Sequence, residues 1–310
     1  MRRFLLRRAL LLLPVLWGVS TTVFLTTHLI PGDPVDLMLG ETARPAQREE
    51  LRRALGLDRP VALQYLAFLG GLARGELGRS LYFGRPVSRV LLERLPATAE
   101  LALASLLIAL AISLPLGVAA ARRPGSWVDQ GSLLAALLGV SMPTFWLGPL
   151  LILLFSIGLG WLPVSGRGGL LSSHLVLPAL TLGAGMAAIL ARMTRASLLE
   201  VLPREFIAAA RAKGLSERRV VFLHGLRNAC IPILTILGLQ TGALLSGAII
   251  TETIFAWPGV GRLTIQAIAA RDYPLVQGCV LLIAFAYVGA NFVTDLLYGL
   301  LDPRIRHGEP

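Results

Sequence analysis

Six stretches of this chain run for about 20 residues without an Asp, Glu, Lys or Arg. They cover 9–30, 101–121, 130 to beyond 157, 175–191, 231–251 and 274–294. A helix rising about 1.5 Å per residue crosses the hydrocarbon core of a bilayer in that length. The pattern predicts an all-α membrane protein with transmembrane helices near 9–30, 101–121, 133–157, 175–195, 230–252 and 276–298. The composition agrees. The chain is 55% hydrophobic and 15% charged, with a mean hydropathy of +0.70. A soluble domain averages about 45–50% apolar and about 25% charged. A soluble enzyme, a secreted disulfide scaffold and a disordered chain are thereby excluded.

The third stretch is too long for one straight span. Pro143, Gly148 and Pro149 are expected to kink it, and Gly158, Gly160 and Pro163 to end it. The first follows Arg2, Arg3, Arg7 and Arg8, as a signal peptide would. Its apolar core exceeds the usual length, and no small-residue cleavage site follows, so it reads as a retained anchor.

Orientation follows from the basic residues. With the N-terminus in the cytoplasm, the inside segments hold Arg2, Arg3, Arg7, Arg8, Arg122 and Arg123. They also hold Arg192, Arg195, Arg204, Arg211, Lys213, Arg218, Arg219, Arg227, Arg304 and Arg306. The short outside loops hold only Arg167, Arg262 and Arg271. Both termini are therefore expected inside a bacterial or archaeal cytoplasmic (inner) membrane. The segment 31–95 is a small polar domain outside, in which 49–55 and 61–72 read as amphipathic helices. The chain divides into an anchor plus outer domain, 1–95, and a membrane core, 96–300.

The formal net charge of +11 raises nucleic-acid binding, but the arginines flank spans and no soluble basic domain carries them. Cys230 and Cys279 sit in or beside apolar runs and read as inert thiols. The histidines, His28, His174, His224 and His307, are scattered, and no metal-spaced or nucleophile motif accompanies them. Lys213 is the only lysine and is followed by Gly214, so no Gly-Lys-Ser/Thr phosphate loop exists in the chain. If ATP drives this protein, another chain binds it. The spans also lack mid-membrane ionisable residues of the kind an ion-coupled carrier keeps, which disfavours that alternative.

The segment 192–228 carries the functional signal. Its length marks it as functional or disordered, and its composition is not that of disorder. Glu205 to Lys213 is a strong helix former. Gly214 suits the left-handed position that ends a helix. Ser216 suits the N-cap of a short helix from Glu217 to about Leu223, with Glu217 at the positive end of the dipole. Leu215, Val220, Val221 and Phe222 give this element an apolar face, and Arg218 and Arg219 give it charge. Such an element either docks a partner or lies in lipid headgroups. Composition does not separate the two.

Ala208-Ala209-Ala210-x-x-x-Gly214, followed by His224-Gly225-Leu226-Arg227-Asn228, resembles the EAA loop of ABC-importer permeases. Ala208 stands where glutamate is usual, and Leu226-Arg227 where Leu-Pro is usual. Both departures match the peptide/nickel branch. Further pieces agree in order: Pro31-Gly32-Asp33-Pro34, Gly56-Leu57-Asp58-Arg59-Pro60, Leu95-Pro96-Ala97-Thr98 and Ser141-Met142-Pro143-Thr144-Phe145-Trp146. Then come Phe255-Ala256-Trp257-Pro258-Gly259-Val260-Gly261-Arg262, Arg271-Asp272-Tyr273-Pro274 and Asp302-Pro303-Arg304-Ile305-Arg306.

The resemblance implies a type I ABC importer permease fold of six transmembrane helices. It implies a second homologous permease subunit, two ATP-binding cassette subunits, an extracytoplasmic substrate-binding protein and no nucleic acid. The chain would be no enzyme and hold no cofactor, ATP and magnesium residing on the partners. The ATPase-coupling residues would be Ala208, Ala209, Ala210, Gly214, Leu215, Ser216, Glu217, Arg218, Arg219, Val220, Val221 and Phe222. Small peptides are the broadest cargo class implied, with nickel or a nickel chelate second.

Three other features have competing readings. Trp257-Pro258-Gly259-Val260-Gly261 is a re-entrant mouth of the path or a rigid interfacial turn. Phe145 and Trp146 line the path or pack between kinked helices. Glu252 receives a cationic cargo or anchors a helix end.

Overall fold

The computed structural model describes residues 2–29, 35, 39, 44–54 and 56–301. The Pro31-Gly32-Asp33-Pro34 and Asp302–Arg306 motifs lie outside the described residues. The described chain is helical, its only β pairing a single bridge between Arg79 and Pro86. In order come α1 (Arg2–Leu29), α2 (Pro45–Ala54), α3 (Val61–Ala73), α4 (Val87–Arg122), α5 (Trp127–Ser141) and α6 (Thr144–Leu151). Then follow α7 (Val176–Val201), α8 (Glu205–Ala212), α9 (Leu226–Ile254), α10 (Val260–Ala269) and α11 (Tyr273–Leu301).

Among the described residues, four helical stretches are long and apolar enough to cross a membrane: Val87–Arg122, Ser173–Val201, Glu217–Gly242 and Tyr273–Leu296. A fifth arises if the bent pair Trp127–Ser141 and Thr144–Gly158 counts as one span. The first apolar stretch lies within α1, which is helical from Arg2 to Leu29.

The third stretch is broken rather than kinked. Its halves meet at 105°. Pro143 is responsible: the residue before a proline is pushed out of the α region, and Met142 accordingly sits at φ −83°, ψ 115°. Pro149, by contrast, lies inside α6 without ending it. The backbone widens to a π-helix over Ile152–Gly158, and the helix stops at Gly158. Two boundaries also differ from expectation. Helix α4 already begins at Val87, so Pro96 lies within it and does not open it. Helix α7 runs on to Val201, beyond the expected end near 195.

The chain divides into two compact units, each with its own core. One comprises Met1–Leu5, Ala99–Trp257 and Gly289–Pro310. Its centre is α7, which packs against α5, α6 and α9 and is the most buried of the four long apolar stretches. Small residues let neighbours approach it. A β-carbon on Gly117 of α4 would fall 2.6 Å from Thr194 Cβ and 2.8 Å from the Ala191 carbonyl oxygen. One on Gly183 would fall 2.8 Å from the Ser105 carbonyl oxygen. The core around these contacts includes Ala109, Val118, Ala121, Met186, Leu190, Leu198, Val221, Ala229 and Ile233.

The other unit comprises Leu6–Thr98 and Pro258–Val288. Its core joins Val87, Val90 and Leu91 to Val260, Leu263, Ala267, Leu275 and Cys279. Asp272 is buried here. Its Oδ2 accepts from Ser80 Oγ at 2.5 Å and from Tyr82 N at 3.1 Å, and its Oδ1 accepts from Leu275 N at 3.2 Å. One carboxylate thus ties the 79–86 turn to the start of α11.

Candidate functional site

The segment after α7 folds as helix, turn, helix. Helix α8 ends in a closed C-terminal motif. Gly214 adopts φ +76°, and its N–H donates to Arg211 O at 2.9 Å. Leu215 N–H donates to Ala210 O at 3.4 Å. That pair of bonds satisfies carbonyls the helix end would otherwise strand, and it needs a residue comfortable at positive φ. Leu215 completes the motif by folding back on Ile207, Ala210 and Val220.

Ser216 then takes an extended conformation, and Val220 N donates to its carbonyl oxygen at 3.0 Å. Its hydroxyl makes no capping bond, so only its backbone starts the next helix. Glu217 faces back across the turn instead. Arg211 Nε donates to Glu217 Oε1 at 2.7 Å, and Arg211 Nη2 reaches Oε2 at 3.5 Å. The Glu217 carboxylate raises the Arg211 guanidinium pKa above its ordinary value, chiefly through this hydrogen bond.

The expected separate helix ending near Leu223 is not formed. Glu217–Arg219 is one helical turn that widens to π geometry over Val220–Gly225 and continues into α9. The element is therefore the first part of a long helix, joined to it through the π-helical stretch Val220–Gly225.

Its apolar face also divides. Val220 and Val221 are buried, inside the cores around Ile207 and Leu198 respectively. Phe222 is 50% exposed and Leu223 56% exposed. Arg218 and Arg219 are exposed beside them. The outward surface is thus Phe222 and Leu223 flanked by arginine, not the four apolar residues read from sequence. The alanine run divides similarly. Ala210 is buried against Ile207 and Val220, whereas Ala208 and Ala209 are exposed. Within this chain their small size serves no helix contact.

Sequence reasoning missed an ion pair at the same end of α7. Arg195 Nε and Nη2 donate to Asp129 Oδ1 and Oδ2 at 2.5 and 2.7 Å. Asp129 lies in the first turn of α5 and is 2% exposed. Its Oδ2 also accepts from Gly125 N at 2.9 Å, and its own N–H donates to the Ser126 hydroxyl at 3.3 Å. The available signal was Ser126-x-x-Asp129, a helix-start pattern, together with two arginines, Arg192 and Arg195, in the later part of α7.

The remaining candidates change character. Trp257, at the 255–259 turn, is fully buried. Its N–H donates to Glu252 O at 2.8 Å, and the Arg167 guanidinium lies 5.8 Å from its ring. Arg167 in turn donates to Glu100 Oε2 at 2.6 and 3.0 Å. Glu252 has no exposed surface, which closes it to a cargo in this conformation. Phe145 and Trp146 are 59% and 53% exposed and therefore do not pack between helices of this chain. Cys279 is buried and Cys230 partly so. Among the described residues no cluster of His, Cys, Asp or Glu could hold a metal ion.

Long apolar helices with a folded polar element between two of them mark the chain as a multi-pass membrane protein. Residues 113–307 match the family described as binding-protein-dependent transport system inner membrane component. Residues 1–102 match the N-terminal part of the same kind of component. The chain belongs to this family. It is a multi-pass inner membrane protein, the permease subunit of an ABC importer.

Similarity extends along the whole chain. It is 48% identical to the di/tripeptide transport system permease protein DppB of Pseudomonas aeruginosa, covering 99% of each chain. It is 43% identical to the dipeptide transport system permease protein DppB of Escherichia coli K12, again over 99% of each. The glutathione transport system permease protein GsiC of Escherichia coli K12 is 42% identical, over 99% of this chain and all of that one. Among solved structures, a chain of the MetNI methionine ABC transporter shares the fold. Its TM-score is 0.56 at 22% identity, over 69% of this chain and 96% of that one.

Proposed function

We propose that this chain translocates small peptides handed to it by an extracytoplasmic binding protein. The observation that carries this is the likeness, over 99% of the chain, to permeases named for dipeptides, tripeptides and glutathione, itself a tripeptide. The same relatives favour peptides over nickel or a nickel chelate as cargo.

In this reading the chain pairs with a second homologous permease subunit. Each of the two presents its 208–222 segment to one ATP-binding cassette subunit, where ATP and magnesium are held. Both termini and this segment face the cytoplasm, six helices span the membrane, and the 31–95 region faces outward. Phe222, Leu223, Arg218 and Arg219 supply the surface the ATPase grips. Gly214 and the Arg211–Glu217 pair hold that surface at a set angle. Closure of the two ATPases on ATP moves the gripped elements together. Because Glu217–Gly225 continues into α9, that movement is passed directly to a membrane helix.

The test is reconstitution. The permease pair, the ATPases and the binding protein, placed in liposomes, take up radiolabelled dialanine only with ATP inside. Uptake by this chain alone on a proton or sodium gradient would overturn the reading.

A further inference from the structure

The Asp129–Arg195 ion pair has no place in the functional reading so far, yet its setting is specific. Both charges are drawn into the helix bundle: Asp129 is 2% exposed, and the Arg195 side chain 24% exposed. The contact is bidentate, which fixes orientation as well as distance. It joins residues 66 positions apart, in the first turn of α5 and in α7. Asp129 Oδ2 also holds the N–H of Gly125, a residue at φ +77° in the turn between α4 and α5. One carboxylate therefore ties that turn, α5 and α7 together.

The same place is tight. Thr194, next to Arg195, lies where Gly117 of α4 has no side chain, and any β-carbon there would collide with it. One α-helical turn further along α7, Leu198 packs in one core with Val118 and Ala121 of α4 and with Val221 of the polar element. Val201, at the end of α7, packs against Ile207, Ala210 and Val220. The chain of contacts runs from the element through the end of α7 to the ion pair and on to α4 and α5.

We infer that Asp129 and Arg195 are positioning residues that lock α4, α5 and α7 into one body, so that displacement of the 208–222 element moves all three helices. The proposal rests on the coupling reading above. A packed core alone lets helices slide by changing rotamers. A bidentate pair with a third hydrogen bond admits one register, and losing one partner leaves a charge buried and unpaired. Sliding between α7 and the α4–α5 turn is the motion it forbids. Without it, the ATPases would still push the element, but the push would dissipate as slippage.

The experiment uses the complete importer with its binding protein, in liposomes, reading dialanine uptake and ATP hydrolysis together. Asp129→Asn keeps the size and an oxygen for Gly125 but removes the charge. It is expected to retain its ATPases on purification and to hydrolyse ATP within about twofold of the parent. Its uptake per ATP should fall about tenfold, the scale of a lost coupling interaction. Asp129→Glu, which keeps the charge, should recover most of that loss.

Unchanged uptake per ATP in Asp129→Asn overturns the inference. Equal losses in Asp129→Asn and Asp129→Glu overturn it as well, since the charge would then be irrelevant. Loss of the ATPases from Asp129→Asn would do so too, by making the pair an assembly contact. Failure of the underlying reading looks different: the parent chain itself would retain no ATPase.

Discussion

Arg211 and Glu217 stand on opposite sides of the Gly214 turn, joined by a hydrogen-bonded ion pair of 2.7 Å. Helix α8 and the start of the next helix are thereby tied at the point where the chain reverses. Arg122, at the end of α4, adds a longer-range attraction to Glu217. Both partners are about half exposed, with side-chain exposures of 45% and 51%. Water and salt screen such a pair, so its contribution is to angle more than to stability. Glu217→Gln should leave thermal stability essentially unchanged and reduce ATP-driven uptake severalfold. Raising ionic strength should reduce parent uptake by a larger factor than the variant's and so narrow the gap between them. Parallel salt curves for the two would refute the assignment.

Gly214 makes a sharper prediction because its surroundings are empty. No atom lies within 4 Å of where a β-carbon would be, so bulk alone meets no obstacle inside the chain. The penalty is the backbone's: a left-handed conformation costs an ordinary residue about 1–2 kcal/mol. Gly214→Asn, which tolerates that region, should retain much of the uptake. Gly214→Val should insert into the membrane and lose it. Gly214→Trp should fail doubly, through the backbone and by projecting into the space a partner would occupy. Co-purification of the ATPases would separate these effects: retained with asparagine, weakened with valine, lost with tryptophan.

Phe222 and Val221 are neighbours with opposite environments. Phe222→Asp alters an exposed side chain and should leave folding intact while abolishing ATPase retention. Val221→Asp places a charge in the core beside Leu198 and Ala229 and should prevent stable expression. Size-exclusion profiles in detergent and pull-down of the ATPases distinguish the two failures. If Phe222→Asp still holds its ATPases normally, this surface is not the docking site.

Asp272→Ala removes a buried acceptor and strands the Ser80 hydroxyl and the backbone N–H groups of Tyr82 and Leu275. Each stranded donor costs about 1–3 kcal/mol. The variant should lose many degrees of thermal stability, measurable by thiol-reactive dye labelling of Cys279, which is buried in the same unit. Asp272→Asn, which keeps an acceptor oxygen, should lose less.

Much of this molecule was legible before any coordinate. Uncharged stretches mark helices because a bilayer or a helical core tolerates no unpaired charge. The Gly214 turn was legible because positive φ is a local property that one residue type satisfies readily. The break at Met142–Pro143 was half legible. Proline chemistry foretells an interruption, but its angle of 105° depends on what the second half packs against. Pro149 shows the limit, since the same residue type six positions later lies inside α6 without ending it.

Burial was decided by the tertiary structure. Val220, Val221, Phe222 and Leu223 are equally apolar in sequence, and only packing against α7 and α8 hides the first two and leaves the others outside. The pairing of Asp129 with Arg195 is likewise not written in the sequence, since the two are 66 residues apart and each is explicable as a helix-end charge. The physical reason is common to both cases. Hydropathy and backbone preference act within a few residues along the chain and can be read there. Contact between side chains acts through space, and it is set only once every helix has found its neighbours.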